Sequence, residues 1–502
     1  MNTTKTMVEK MRNRHFVILG LAVTLLAGAC ASSKGKPDAE KAAEKPAAEG
    51  IPELQPLEFR DRAPSAEKIG EKEGVSAYDI GGLTLLHKPT PANQVVSARV
   101  YIDGGVTNLT DETAGIEELA FRTAVNGGTA STPKDKYTSA LDSMGSSVSA
   151  FTGRDYSGYS LRSIVKHFDK SWGLFTEAIL EPKMPEDELA VQREKQLAEI
   201  EQLAENPNRL VSLISRRLIA GSHPYRHLQL GTRENVKDFE RKDLLAYQRS
   251  LLNPKRMLVV VVGDIPSKKV VRKVRESVGK LKASEWERPE LPAFDVSKLA
   301  LEGAQKKIPT NYILGLFPAP APDEKDYMAT KLALSYLSDR LFEEVRTKRN
   351  LSYAVSSGIS SRRTNTGYLY VSAKAPPETL QVIFDEVKRL KQDKLTKKEL
   401  QRTRNVFITE HYMGLETNSN LASSLASAQL LQGDWRRHAT FIDEVKAVTP
   451  ADVKKAAKTY MKDYQFGIVG QPDSLPKSAL EKMTGGDDGG GDDASDSETS
   501  SK

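Results

Sequence analysis

The chain has 502 residues, of which 39% are hydrophobic and 28% are charged, and its formal net charge is +6. A single hydrophobic core usually stops growing at roughly 250–300 residues, so this length predicts two or more domains. The net charge is small for this size, and no Lys/Arg cluster is interleaved with aromatic residues, so we expect no nucleic-acid partner.

Residues 1–30 carry a targeting pattern. A basic stretch precedes an apolar run over residues 16–27, which predicts a secretory signal. Small residues follow directly before Cys30, the only cysteine of the chain, and this arrangement resembles a bacterial lipobox. We therefore expect Cys30 to be the lipidated first residue of a mature protein that is anchored in the outer membrane and faces the periplasm. The alternative is an ordinary secretory signal or a short membrane anchor.

Composition divides the rest of the chain into segments. Residues 31–70 are rich in Ala, Lys, Glu and Pro, which predicts a flexible linker. Residues 476–502 end in an acidic, Gly-rich stretch, which predicts a disordered tail. The body between them is expected to form two domains, 71–284 and 298–475, with an interdomain connector at 285–297.

The body has a repeated pattern of helices and strands. A helix that continues into an apolar strand ending in Gly occurs in each half, at 243–263 and again at 449–470, which indicates a duplicated domain. Further strands are predicted at 95–102, 156–162, 312–317 and 368–373, and further helices at 133–144, 186–204, 325–346, 379–392 and 397–412. The predicted fold class is α+β, with two homologous domains that are each an antiparallel-rich sheet with helices packed on one face.

Short landmarks follow the order and spacing of a known family. They are Gly104 and Gly105, the helix after Gly115, Gly127-Gly128-Thr129, His223-Pro224-Tyr225, Gly231-Thr232, residues 341–346, and Asn350 to Tyr353. Over about residues 73–475 the chain resembles the pitrilysin/insulinase-type zinc peptidases, which include the mitochondrial processing peptidases. The resemblance implies that the two domains together form half of a clamshell.

The resemblance also locates a metal-site motif. Active members carry a His-x-x-Glu-His helix, in which two histidines bind zinc and the glutamate acts as general base, and a downstream glutamate completes the site. The motif positions fall here on Glu118, Phe121 and Arg122, and Glu199 stands at the downstream position, with seventy-six residues between it and Arg122. A permanently charged guanidinium cannot replace a neutral imidazole, and Phe121 removes the base. The resemblance therefore implies a degenerate site that binds no zinc and performs no catalysis of its own.

Two interpretations of the remaining charged side chains stay open. Glu118 and Arg122 are four residues apart on one helical face, so they can form a salt bridge that Glu199 joins. Alternatively, all three charges are simply solvated. Elsewhere, His223 and His227 are separated by a proline in a loop, and we favour a structural role for them over a metal site.

Arg346 and Tyr353 match the Arg/Tyr pair by which the second domain of these enzymes completes the active site. A guanidinium can hold a substrate carbonyl, and a phenol can donate a hydrogen bond to the oxyanion of a tetrahedral intermediate. The structural alternative is that Arg346 caps its helix and that Tyr353 is a half-buried strand residue. Asn350 replaces the family's glycine, a change that a turn tolerates because Asn accepts positive φ.

These features predict a non-catalytic, substrate-positioning subunit of a heterodimeric zinc peptidase. Its partner would be a His-x-x-Glu-His-bearing subunit of the same family, which would hold the zinc, and its substrates would be peptides in the bacterial envelope. The alternative function is that of a non-enzymatic peptide-binding or structural envelope protein on the same fold. A self-contained enzyme with an unorthodox metal site is a third possibility, which the zinc content of the purified chain would test.

Overall fold

The computed structural model describes residues 50–393 and 395–485, in which the chain forms two β-sheets flanked by helices. The predicted signal segment and Cys30 lie outside the described residues. The strands of the first half are β1 (Glu67–Lys72), β2 (Val75–Ile80), β3 (Leu83–Pro89), β4 (Val95–Asp103), β5 (Ser147–Phe151), β6 (Tyr156–Ile164) and β7 (Met257–Gly263). Its helices are α1 (Ile116–Asn126), α2 (Lys134–Ser143), α3 (Phe168–Leu180), α4 (Glu186–Glu205), α5 (Pro207–Ala220), α6 (Arg233–Asp238), α7 (Arg241–Leu251) and α8 (Ser267–Glu276).

The second half repeats this alternation of strands and helices. Its strands are β8 (Ala300–Gln305), β9 (Asn311–Ala319), β10 (Val355–Ile359), β11 (Asn365–Ala373) and β12 (Gln465–Gly470). Its helices are α9 (Tyr327–Leu341), α10 (Pro376–Gln392), α11 (Lys397–Gly414), α12 (Asn418–Gln432), α13 (Phe441–Ala447), α14 (Pro450–Tyr460) and α15 (Lys477–Thr484). None of the described helices is long and apolar enough to cross a bilayer.

The two sheets share one strand order. The first runs β1-β2-β3-β7-β4-β6-β5 and the second runs β10-β11-β9-β12-β8, so β3-β7-β4-β6-β5 corresponds to β8-β12-β9-β11-β10. In each sheet the same neighbours are parallel, β3 with β7 and β8 with β12, whereas the other neighbours are antiparallel. The repeated topology agrees with a duplicated domain, and the hairpin of β1 and β2 extends only the first sheet.

Each sheet is covered on both faces, because the halves exchange a helix. β7 reads Met-Leu-Val-Val-Val-Val-Gly and is buried along its whole length, as is typical of a strand covered on both faces. On one face of the first sheet, Leu425 of α12 packs in one cluster with Val260 of β7. In the second sheet, Val211 of α5 packs against Val469 of β12. The prediction of helices on one face of each sheet is therefore incomplete: the other face is covered by one helix from the opposite half.

Parts of the predicted linker and of the predicted tail are folded. Residues 31–49 lie outside the described residues, but Phe59 pairs with Leu281, and residues 67–72 form β1. Phe59 packs against the first core, so this segment gains apolar burial that its overall composition does not indicate. At the other end, residues 477–484 form α15, whose Leu480 is fully buried in the second core.

Candidate functional site

The degenerate motif lies on α1, and close backbone contacts fix where this helix begins. Gly115 precedes α1 at φ +97°, and a side chain there would meet the backbone at Leu230 and Gly231. The Gln196 amide of α4 donates to the carbonyl oxygens of Gly115 at 3.0 Å and Leu230 at 2.9 Å. Gln196 is fully buried, so α4 holds the first turn of α1 in a defined position. Glu199 lies one turn further along the same helix.

The three charged side chains of the motif form one ion-pair network. Arg122 donates to both carboxylate oxygens of Glu199, each at 2.9 Å, and its Nε contacts Glu118. The hydroxyl of Thr152 donates to the other oxygen of Glu118. Burial lowers the pKa of Arg122, but the carboxylates of Glu199 and Glu118 outweigh this effect and raise it above its ordinary value. Of the two alternatives that the sequence left open, the structure contains the salt bridge joined by Glu199.

Phe121 belongs to the hydrophobic core. It is fully buried and stacks on Tyr159 of β6, with ring centroids 4.6 Å apart and planes inclined by 20°. The carboxylate closest to it in sequence, apart from Glu118, is Glu117, which is buried and accepts a hydrogen bond of 2.7 Å from the Tyr247 hydroxyl. Burial raises the pKa of Glu117, while hydrogen bonds from Ser157 and Tyr247 oppose that shift. Glu117 is therefore a buried, hydrogen-bonded residue of the first core, and we assign it a structural role.

These residues do not fit a zinc ion. A catalytic zinc needs three protein ligands and an open position, whereas here a guanidinium fills the space between the two carboxylates. Within residues 50–393 and 395–485, no group of three or more His, Cys, Asp or Glu side chains is placed to hold a metal ion.

The histidine in the His223-Pro224-Tyr225 landmark has a structural role. Nδ1 of His223 accepts from the backbone N–H of Tyr225 at 3.0 Å, and Nε2 lies 3.1 Å from the carbonyl oxygen of Pro292. Both ring nitrogens are therefore engaged, and the second contact binds the first half to the connector. His227 has Nδ1 3.3 Å from Asp111, a carboxylate that is distant from it in sequence.

Arg346 and Tyr353 lie together in the second half. The guanidinium carbon of Arg346 lies 4.2 Å from the ring centroid of Tyr353 and 4.8 Å from that of Phe342, a spacing typical of cation–π contacts. Tyr353 is 80% exposed, so the alternative of a half-buried strand residue is wrong. Neither side chain forms an ion pair or side-chain hydrogen bond with another residue that the structure describes.

The backbone that carries Arg346 is a widened turn of helix. The predicted helix over 325–346 continues from α9 into a π-helix, Phe342–Thr347, a conformation that is frequent at functional sites. Glu344 is buried inside this turn and accepts from Lys348 at 2.8 Å, Arg349 at 2.6 Å and Arg340 at 2.7 Å. Lys348 and Arg349 lower the pKa of Glu344 to about 2, so the carboxylate is ionised at neutral pH.

The turn between the pair depends on Asn350. Its φ is +52°, in the left-handed region that Asn adopts more readily than most residues. The expectation that Asn replaces glycine at a positive-φ turn is therefore confirmed. The backbone N–H of Asn350 donates to the carbonyl oxygen of Arg346 at 3.1 Å, which closes the segment onto the π-helix.

Comparison with known proteins identifies the family. Residues 84–227 match the family model described as insulinase, peptidase family M16, and residues 238–407 match the model described as the peptidase M16 inactive domain. The chain belongs to the pitrilysin/insulinase-type peptidase family. This confirms the family that the sequence landmarks predicted.

Relatives and solved structures of the same type cover most of the chain. The zinc protease YmxG of Bacillus subtilis is 24% identical over 411 residues, which span 79% of this chain and 98% of that protein. The mitochondrial-processing peptidase subunit beta of Neurospora crassa is 26% identical over 210 residues, 40% of this chain and 42% of that subunit.

Among solved structures, the peptidase M16 inactive domain from Pseudomonas fluorescens has a TM-score of 0.72 at 20% identity, covering 79% of this chain and 97% of that one. The periplasmic protease PqqL from Escherichia coli has a TM-score of 0.69 at 15% identity, covering 87% of this chain and 49% of that one. These likenesses show the M16 fold.

Sequence reasoning located both residue groups but missed the side chains that support them. Gln196 and Thr152 hold the first group, and Glu344 holds the second. The only available signal for Gln196 was a polar residue on the apolar side of a helix. Thr152 has no such signal, because its partner Glu118 comes from a distant segment. Glu344 did have a signal, since Arg340 and Lys348 are each four residues from it, the spacing of ion pairs along a helix.

Proposed function

We propose that this chain is the non-catalytic, substrate-positioning subunit of a two-chain zinc metallopeptidase of the M16 family that acts on peptides in the bacterial envelope. The contrast between its two halves carries the proposal. In the first half an arginine lies where a zinc ligand is needed. In the second half the π-helical turn holds Arg346 next to Tyr353, and the Tyr353 side chain is exposed to solvent.

The chemistry of the retained pair suits a role in trans. Arg346 offers fixed donors for a peptide carbonyl, and the exposed Tyr353 hydroxyl can donate to an oxyanion that forms in a partner's active site. The zinc and the general base would come from the partner's His-x-x-Glu-His helix. One relative, the mitochondrial-processing peptidase subunit beta, is by its name also a subunit of a peptidase.

The proposed location is the periplasmic side of the outer membrane, with Cys30 as the lipidated residue. The support is the basic stretch, apolar run and small residues that precede this single cysteine. We expect Cys30→Ser to move the protein from the membrane fraction to the soluble fraction and to abolish labelling by a radioactive fatty acid. If the unmodified protein takes up no fatty acid and Cys30→Ser stays in the membrane fraction, the lipid anchor at Cys30 is contradicted.

Co-purification tests the pairing. The tagged protein is extracted from its own membranes in mild detergent, and the proteins that accompany it are identified by mass spectrometry. We expect a stoichiometric subunit that carries His-x-x-Glu-His, and peptidase activity that a zinc chelator removes. If only copies of this chain or unrelated envelope proteins are recovered, the peptidase subunit is ruled out and the alternative of a binding or structural protein takes its place.

Variants of the pair test the positioning role in the purified complex. Tyr353→Phe is expected to lower kcat by about 10²–10³, the usual effect of losing one oxyanion donor. Arg346→Ala is expected to lower kcat/KM, because its guanidinium would hold a substrate carbonyl. The matched controls are Tyr412→Phe and Arg217→Ala, because both side chains are largely exposed. Equal activity of the four variants would show that the pair has no part in the reaction.

A further inference from the structure

A cavity of about 340 Å³ lies in the second half, away from the two residue groups described above. Its walls come from α9, α11, α12, α13 and the segment before α13. The volume is within the usual range of small-ligand sites. Aromatic rings of Tyr327, Phe407 and Phe441 form the apolar part of the wall.

The charged group of the cavity is Lys331. Its ammonium nitrogen lies 5.6 Å from the ring centroid of Tyr327, 5.4 Å from that of Phe407 and 5.7 Å from that of Phe441. Within the described residues it donates no hydrogen bond and forms no ion pair. Burial lowers its pKa, and the only carboxylate that offsets this effect is Glu410, an exposed residue of the cavity wall. Cation–π contacts and the more distant charge of Glu410 therefore surround this ammonium group.

Among the described residues that line the cavity, Lys331 is the cation without a hydrogen bond or an ion pair, because the neighbouring basic side chains are neutral or paired. His411 stacks on Phe441 with ring centroids 4.1 Å apart, and Nδ1 of His438 lies 2.9 Å from the Ser424 hydroxyl. Burial, Lys88 and His411 lower the pKa of His438 to about 4, so this ring is neutral at pH 7. Burial and Lys331 lower the pKa of His411 as well.

Arg437 also lines the cavity, but it is already paired, with a guanidinium nitrogen 3.5 Å from Glu444. Ser424, Ser427 and Gln432 add neutral hydrogen-bonding groups. The site thus combines an ammonium group that has no direct ion pair within the described residues, the exposed carboxylate of Glu410 in the wall, neutral polar groups and aromatic rings.

We propose that this cavity binds a small carboxylate that carries an apolar or aromatic group, with Lys331 as the partner of the carboxylate. A carboxylate supplies the charged hydrogen-bond acceptor that Lys331 lacks within the described residues, and the apolar group fits the aromatic wall. A cationic ligand would meet the ammonium of Lys331, and a metal ion would find no set of ligands there. The carboxylate belongs either to a free aromatic acid or to the C-terminal residue of a peptide. The site does not depend on the pairing proposed above.

Occupancy would also stabilise the join between the halves. Ser424 and Ala428 of the wall belong to α12, whose Leu425 packs against the first sheet. A ligand that contacts both α9 and α12 therefore favours the folded arrangement of both halves, so binding is expected to raise the Tm of the whole chain.

Calorimetry and thermal unfolding of the purified full chain test the proposal. The probes are phenylacetate and N-acetyl-Ala-Ala-Phe with a free C-terminus, each compared with its amide, and inorganic phosphate. We expect at least one acid to bind with a Kd of about 1 mM or tighter, and its amide to bind at least about tenfold more weakly. Stronger binding of the peptide acid identifies a peptide terminus as the source, and stronger binding of phenylacetate identifies a free acid.

Variants test whether Lys331 is the residue that binds the carboxylate of the ligand. Lys331→Gln is expected to weaken binding of the acid about tenfold and to leave binding of the amide unchanged, while Lys398→Gln, an exposed change on α11, alters neither. The proposal is overturned if neither acid binds, if acid and amide bind equally, or if phosphate binds better than both acids. These three outcomes need only the unmodified protein, so they decide the matter even if Lys331→Gln fails to fold.

Discussion

Replacing Arg122 by Met removes the one cation that Glu118 and Glu199 share. Arg122 is 27% exposed, Glu118 12% and Glu199 39%, so the network lies between the buried and the exposed cases. Exposed pairs contribute about 0.2–1 kcal/mol, and breaking a buried pair costs about 3–5 kcal/mol. We therefore expect Arg122→Met to lower the free energy of unfolding by about 2 kcal/mol, since two hydrogen bonds of 2.9 Å are lost and two carboxylates remain together.

A double-mutant cycle isolates the interaction. The free energy of unfolding is measured by urea denaturation for the unmodified chain, Arg122→Met, Glu199→Gln and the double variant. The expected coupling energy between the two positions is about 1–2 kcal/mol. The pair of Arg217 and Glu302 is the matched control, because its side chains are 68% and 38% exposed. Its coupling is expected to stay below about 0.5 kcal/mol.

The outcome decides between the two interpretations of the motif. A coupling energy at the level of the Arg217/Glu302 control would mean that the three charges are effectively solvated, and the argument for a structural replacement of the metal would fail. A clearly larger coupling energy would show that the ion pairs stabilise the contact between α1 and α4.

Three further predictions concern other parts of the fold. Burial lowers the pKa of His87 from 6.5 to about 4, so on acidification the unfolded chain takes up the proton before the folded chain does. The free energy of unfolding should therefore fall by about 3 kcal/mol between pH 6.5 and pH 4, and His87→Gln should reduce this pH dependence. Leu425→Ala on α12 should lower the free energy of unfolding in urea by about 2–5 kcal/mol, because the side chain is fully buried between the halves. A decrease below about 0.5 kcal/mol, as expected for an exposed site, would contradict the helix exchange. At Asn350, where φ is +52°, Gly should leave Tm nearly unchanged and Val should lower it, and equal Tm values would refute the left-handed turn.

Local sequence patterns predicted six of the twelve strands in the described residues (β4, β6, β7, β9, β11 and β12) and most of the long helices, but not the exchanged helices. α12 reads NSNLASSLASAQLLQ and has no charged residue, so it lacks the polar face by which an amphipathic surface helix is recognised. α5 and α12 bury their apolar residues against strands of the other half. No local sequence pattern indicates which strands a helix will pack against. The unbroken Val run of β7 is typical of a strand covered on both faces, a signal that the prediction of helices on one face left unused.

The site was predictable to the level of residue identity and less so in its contacts. The positions of Glu118, Arg122 and Glu199 followed from the family motif, and i, i+4 spacing allowed the first ion pair. The hydrogen bonds from both guanidinium nitrogens to Glu199 depend on how α4 packs against α1. Gln196 fixes this packing by donating to two backbone carbonyl oxygens. Composition likewise could not show that Phe59 and Leu480 dock their segments on the two cores.

The ion-pair network joins α1 and α4 at the positions where the family resemblance placed the metal-site motif. A zinc ion bound by a His-x-x-Glu-His helix and a downstream glutamate joins two helices, and here Arg122 of α1 joins Glu199 of α4 in the same way. Tyr353 is different, because at 80% exposure it contributes little burial to the core. Within the fold, the reason for an aromatic residue there is its contact with Arg346, and the substrate-positioning role proposed above would supply a second reason.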